Sequence, residues 1–323
     1  MTRIFINRTE NYYKRITDAR EGIDNELTIS HLLRSRNPFT KSGLPYGRIL
    51  AEKLGIRDGA RILEVGPGLG DVAENICSSF ADIRYTFVDV SYAFMNHLKS
   101  KFTGDKFSFI TGDFLTTKIR GKFDFIISNE VLADLPTIVG MRFGAAHESD
   151  EYYDAVALAK FYGLSERRIR IFNYGAVKFL EKAKSLLAEN GKIFICEHSS
   201  SPPRRIRVAG HTEYTVDFGV LERIAKRLRF EMEKGSLTEL LGIKNRKAVI
   251  LYMHPELKTL YHFLRKQGIF LEQKVYDVEE ILEALESHGV HIRGRKAYAD
   301  FLGKHAKPLR EITDQFGFLI LKS

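Results

Sequence analysis

The sequence predicts an α/β fold, a mainly parallel sheet with helices on both faces, from three observations. From about Arg61 short β-rich runs alternate with helical patterns; the runs are bounded by Gly, Asp or Asn; and the first runs straight into a glycine turn and a helix. Ligands on such sheets sit at the carboxyl ends of the strands.

In order, "HLLRSRNPFTKSGLPYGRILAEKLG" predicts a helix, a Pro/Gly-marked loop and a second helix ahead of the sheet. "RILEV", "RYTFVDV", "KFSFITGDF", "FDFIISN" and "GKIFICEH" predict five strands, and "FGFLILKS" a last one. Between Pro136 and Gly191 lies an insertion-like stretch whose later part is an amphipathic helix, and its portion 145–170 is a candidate lid. A basic loop, "SSSPPRRIRVAGH", a helix around "VDFGVLERIAKRL" and two or three further helices follow. The expected division is an N-terminal helical extension over 1–43, a core over 44–243 with a helical insertion at 137–175, and a helical region over 244–323 that ends in the last core strand.

The 323 residues, 44% hydrophobic and 28% charged, suffice for a real core. Cys77 and Cys196 cannot form a disulfide framework, and no cysteine or histidine pair has metal-ligand spacing, so a reducing compartment and no metal are expected. The N-terminus has no apolar signal-like region and no membrane-length apolar run occurs, which predicts a cytoplasmic protein. A net charge of +9 leaves RNA or an acidic partner open, although a diffuse surplus of Lys and Arg is ordinarily a solvated surface.

Glu64, Gly66, Gly68 and Gly70 form E-x-G-x-G-x-G, whose glycines allow a sharp turn and a close ligand approach. A dinucleotide fingerprint needs glycine where Asp71 stands, a carboxylate there would repel a pyrophosphate, and no Walker A loop is present. A ligand without phosphates fits instead. Asp89 ends the second strand, where an acid can accept from both ribose hydroxyls; Asp113, after Gly112, ends the third, where it can receive an adenine amino group; Glu64 and Gly66 can meet an amino-acid end.

These strand-end acids in register with the glycine turn resemble the pattern of Rossmann-like, class I S-adenosylmethionine (SAM)-dependent methyltransferases. The resemblance implies a seven-stranded sheet, SAM as cofactor, and a cofactor site of Glu64, Gly66, Pro67, Gly68, Gly70, Asp89, Val90, Gly112, Asp113, Phe114 and Asn129. "ILEVGPGLG" is also similar to the ribosomal RNA adenine dimethyltransferases, but "ISNEVLADLP" lacks the aromatic residue that follows their proline. "NEVLADLP", "GHTEYTVDFGVLERIAKRL" and "GSLTELLGI" resemble segments of the MidA-like family, which includes the mitochondrial complex I assembly methyltransferase. Val131-Leu132 and Glu213-Tyr214-Thr215 depart from that family's pattern.

The MidA-like resemblance implies methylation of a protein, with arginine as a candidate target. Guanidinium is always protonated, and paired carboxylates can concentrate its charge on one side and leave the other nitrogen more nucleophilic. Glu130 and Asp134 would share a face if a helical turn begins there. Asp217 is carried over from the family's Val-Asp-Phe segment, or serves as a helix N-cap. Glu197 and His198 end the fifth strand, and His198 is a candidate proton acceptor. Methylation of RNA or a small molecule, and a SAM-binding assembly factor with little catalysis, are the competing expectations.

Overall fold

The computed structural model describes residues 3–19, 28–164, 169–208 and 210–323. Seven strands form the central sheet: β1 (Arg61–Val65), β2 (Arg84–Asp89), β3 (Phe107–Thr111), β4 (Phe123–Asn129), β5 (Leu187–His198), β6 (Glu231–Ser236) and β7 (Phe316–Lys322). Their spatial order is β6-β7-β5-β4-β1-β2-β3. Strand β7 runs antiparallel to β5 and β6, and the remaining pairs are parallel. The order reverses between β1 and β4, the switch point where the strand tips splay the loops apart and open a crevice.

The principal helices are α1 (Tyr46–Leu54), α2 (Asp71–Cys77), α3 (Tyr92–Lys101), α4 (Asp150–Phe161), α5 (Tyr174–Leu186), α6 (Phe218–Arg227), α7 (Leu237–Leu241), α8 (Pro255–Lys266), α9 (Val278–Ser287) and α10 (Arg295–His305). Alternate strand residues enter opposite cores, as the period of two requires. Leu63, Ile126, Ile193 and Leu319 pack on one face with α5 and α6, while Ile62, Phe125, Phe194 and Phe318 pack on the other with α1 and α2. Helices α8 to α10 enclose a third, smaller core around Leu257, Ile281 and Leu302.

Three parts of the chain converge above the tips of β4 and β5. Strand Phe5–Asn7 pairs antiparallel with Thr137–Val139, which pairs with Ile171–Phe172. The N-terminal extension and the insertion therefore share a small sheet, where helix alone was expected. The stretch read as a basic loop is a hairpin, Arg205–Val208 against His211–Tyr214. Asn7 and Thr9 pin it by donating to the Thr212 carbonyl at 3.1 and 3.0 Å. Residues 165–168 of the candidate lid lie outside the described residues. Among the described residues no helix is long and apolar enough to cross a membrane.

Buried Asn173 locks this corner. Its side chain accepts from the Asp217 N–H at 3.1 Å and donates to the Thr215 carbonyl at 3.3 Å and the Thr137 hydroxyl at 3.4 Å. Asn173→Ala leaves buried backbone groups unpaired and is expected to cost about 1–3 kcal/mol, read from the denaturant midpoint. An unchanged midpoint would contradict that role.

Candidate functional site

β1 delivers the chain at Val65 into the turn Gly66 to Gly70, and α2 starts at Asp71. Gly66 has φ +65°, and a Cβ there would lie 2.4 Å from a Val131 methyl, so this corner of the turn admits only glycine. A cleft of about 1150 Å³, its open mouth included, lies over the tips of β1 to β4. Glu64, Gly66, Pro67 and Gly68 form its floor; Asp89, Val90, Gly112, Asp113 and Phe114 form the side toward β2 and β3; Asn129 stands at the tip of β4. Gly70 is the exception among the residues expected to hold the cofactor. It lies outside the cleft wall as the N-cap of α2 at φ +74°, where a Cβ would strike Phe102 and Leu98 at 2.6 and 2.7 Å. Its requirement is helix packing against α3.

Acids at the strand ends dominate the electrostatics. Glu64 is buried, accepts from the Tyr85 hydroxyl at 2.8 Å, and is pushed up to about 8 by burial, against that hydrogen bond. Asp89 accepts from the Ser91 N–H at 2.7 Å, yet burial raises it to about 7. Asp113 accepts from the Leu115 N–H at 2.8 Å. Asp71 is satisfied differently. Burial works to raise its carboxyl, but the hydrogen bond and charge of His31, whose Nδ1 lies 2.8 Å away, outweigh it and hold the group below its ordinary value. Ionised Asp71 at a helix N-terminus is favoured by the helix dipole and keeps phosphate away.

At the far end the cleft is lined by Glu130 and Asp134 together with Glu10, Tyr13, Thr28, Ser30 and His31. The segment after β4 is a tight turn with Glu130 at φ +56°, so the condition of a helical turn beginning there is not met, and both acids still line the cleft. Glu130 Oε1 accepts from the Ile29 N–H at 2.9 Å and from Asn129 Nδ2 at 3.1 Å, so this oxygen ties down the N-terminal segment. Asn129 also accepts from the buried Tyr46 hydroxyl and donates to Ser30 at 3.3 Å.

Two expected substrate contacts lie elsewhere. Asp217 is the N-cap of α6, accepting from the Val220 N–H at 3.3 Å and the Ser201 hydroxyl at 3.2 Å. His198 is outside the cleft wall, with Nε2 3.1 Å from Gln315 Oε1 and its ring against Phe316. Glu197 beside it is buried, receives the Ala133 and His198 N–H groups at 3.1 and 2.8 Å, and is raised to about 8 by burial. It braces the turn after β4 from behind. Glu10, Tyr13 and His31 were not anticipated. They reach the site through the tertiary pairing of a segment whose own sequence carries no motif.

The raised carboxyls set a pH dependence. Glu64 and Asp89 hold protons more tightly folded than unfolded, so their contribution to stability is full at acid pH, below the ordinary carboxylate range, and is lost as pH rises through 7 to 8. The unliganded protein should therefore melt at falling temperature between about pH 5 and 9, and Glu64→Gln, which fixes the neutral form, should flatten the trend. A slope unchanged in the variant would contradict this assignment.

The comparisons bear on the same strands. Residues 63–142 match a family model described as a methyltransferase domain. Sterol 24-C-methyltransferase of Debaryomyces hansenii is 28% identical over 143 residues, covering 42% of this chain and 37% of that protein. Malonyl-[acyl-carrier protein] O-methyltransferase of Priestia megaterium is 38% identical over 68 residues, covering 21% of this chain and 25% of that protein. The chain thus spans about a third or less of the length of these relatives. Among solved structures, the [4+2]-cyclase SpnF aligns over 100% of this chain and 99% of its own with a TM-score of 0.52 at 12% identity, a likeness of fold alone. The family match begins in β1, spans the glycine turn and all three strand-end acids, and ends beyond Asp134; residues 63–142 are thus similar to a methyltransferase domain and lie on a Rossmann-like sheet.

Proposed function

We propose that this protein transfers the methyl group of SAM to an acceptor bound at the Glu10, Tyr13 and Asp134 end of the cleft. The observation that carries the reading is the continuity of one cleft from the acids at the tips of β1 to β3 to this second acidic end. In this reading Asp89 accepts from the ribose hydroxyls, Asp113 from the adenine amino group, and Glu64 with the Gly66 to Gly68 turn holds the amino-acid end. Methyl transfer from a sulfonium is an in-line displacement, so no covalent nucleophile is required; holding acceptor and methyl in line supplies up to roughly 7–11 kcal/mol.

The MidA-like resemblance adds protein arginine as a second reading, supported by the carboxylates of Glu10, Glu130 and Asp134 on one wall. Glu130 commits one oxygen to Ile29 and Asn129, which leaves most of a guanidinium clamp to the other two. The relatives are named for a sterol and for malonyl-[acyl-carrier protein] and share too little of their length to choose the acceptor.

Two measurements test this. Calorimetry should show SAM binding that weakens by roughly 10- to 150-fold in Asp89→Asn, the equivalent of about 1.5–3 kcal/mol for hydrogen bonds to a charged group. Incubation with methyl-labelled SAM and a lysate should then yield product, with protease, RNase and solvent extraction sorting the acceptor. An absence of SAM binding at millimolar concentration would refute the function; label released by RNase alone would refute the arginine reading.

A further inference from the structure

Asp134, on the turn after β4, meets His211 and Glu213, on the second strand of the hairpin. His211 and Glu213 are two residues apart on one strand and so face the same side. One donor atom from each of the three residues lies within 4.8 Å of the others. His211 Nε2 contacts Glu213 Oε1, and the two side chains are 5% and 10% exposed. Tyr12 stacks on the imidazole at 4.5 Å and Tyr13 meets it at 5.6 Å. The hairpin's anchorage to Asn7 and Thr9 fixes this strand, whose His211 and Glu213 lie outside the cleft wall and meet it at Asp134, which lines it.

A second observation points to a ligand at the same place. Glu10 is buried, lines the cleft beside Asp134, and donates its backbone N–H to the Asp134 carbonyl at 3.2 Å. Its Oε1 lies 3.4 Å from Arg8, while its Oε2 has no hydrogen-bond partner among the described residues. Two carboxylates therefore share one place with an imidazole, and the buried Glu10 carboxylate lines the cleft beside Asp134. Such an anionic surplus in a poorly hydrated place calls for a cation.

We propose that Asp134, His211 and Glu213 form a divalent-metal site at the acceptor end of the cleft, and that the acceptor is an oxygen-bearing group that ligates the same ion. The acceptor half of the proposal rests on the methyltransferase reading. Two carboxylates and one imidazole suit Mn²⁺, Mg²⁺, Fe²⁺ or Zn²⁺, and three protein donors leave positions open for an acceptor. The ion lowers the pKa of a bound hydroxyl, whose proton leaves to solvent. The oxygen lone pair then forms the bond to the methyl carbon as the C–S bond breaks, its electron pair remaining on sulfur in S-adenosylhomocysteine.

The test uses the full chain stripped of metal with a chelator and titrated with Mn²⁺, followed by paramagnetic resonance and calorimetry, with SAM binding measured in parallel. His254, Glu256 and His305, among helices α8 and α10, form a second group with suitable donors, so His254→Gln is the control. The proposal expects one Mn²⁺ per chain at the cleft. Asp134→Asn, His211→Gln and the milder Glu213→Gln should each weaken it by more than the roughly 10–100-fold that loss of an outer-shell partner costs, while SAM binding persists and reports an intact fold. His254→Gln should leave that affinity unchanged. Retained SAM binding with no Mn²⁺ binding, or with Mn²⁺ affinity unaltered in the three cleft variants, would overturn the metal site and leave the proposed function standing. Mn²⁺ binding without SAM binding would overturn the proposed function and the acceptor half of this inference. Methyl transfer undiminished by chelator would overturn the metal's part in the reaction.

Discussion

Placing carboxylates where buried strands stop is the constraint on which the rest of this structure depends. A parallel sheet covered on both faces leaves its tips as the place where polar side chains can meet a ligand, and burial there disfavours the charged form. Glu64, Asp89 and Glu197 all feel it, and each is only partly compensated, by the Tyr85 hydroxyl or by backbone N–H groups. Asp71 is the contrast. The imidazole of His31 at 2.8 Å, helped by the charges of Lys101 and Arg34, outweighs burial and keeps it ionised, and with it the α2 N-terminus becomes hostile to phosphate.

The same need for partners recruits the N-terminal segment into the site. His31 goes to Asp71, the Ile29 N–H to Glu130, Ser30 to Asn129 and the Glu10 N–H to Asp134. These bonds fasten the segment across the end of the cleft that holds Glu130 and Asp134, and the small sheet formed by Phe5–Asn7, Thr137–Val139 and Ile171–Phe172 fixes its start. The end of the cleft proposed for the acceptor is thereby assembled from sequence-distant pieces, whereas the end proposed for the cofactor comes from consecutive strand tips.

That difference explains what could be read in advance. The glycine turn and the acids at Glu64, Asp89 and Asp113 are local signals, each tied to a strand end, and the alternation of apolar runs is a direct record of the parallel sheet. β6, "EMEKGS", escaped because it is a polar edge strand, paired among the described residues with β7 alone. Glu10, Tyr13 and His31 escaped because nothing within "RTENYYKR" or "ISHLL" encodes their pairing. Gly70 was read from the glycine motif, His198 from its strand-end position, and Asp217 from the family resemblance with a helix N-cap as its alternative. Gly70 packs against α3, His198 meets Gln315, and Asp217 takes the N-cap role.

In the proposed function the buried strand-end acids are the cofactor's partners and await its charge. Calorimetric SAM binding near pH 7 in two buffers of different ionisation enthalpy tests it most directly. Glu64 and Asp89, held largely or partly protonated by burial, should ionise when the cofactor's ammonium and ribose hydroxyls meet them, giving net release on the order of one proton per cofactor bound. Binding with no proton exchange, or with uptake, would contradict the account.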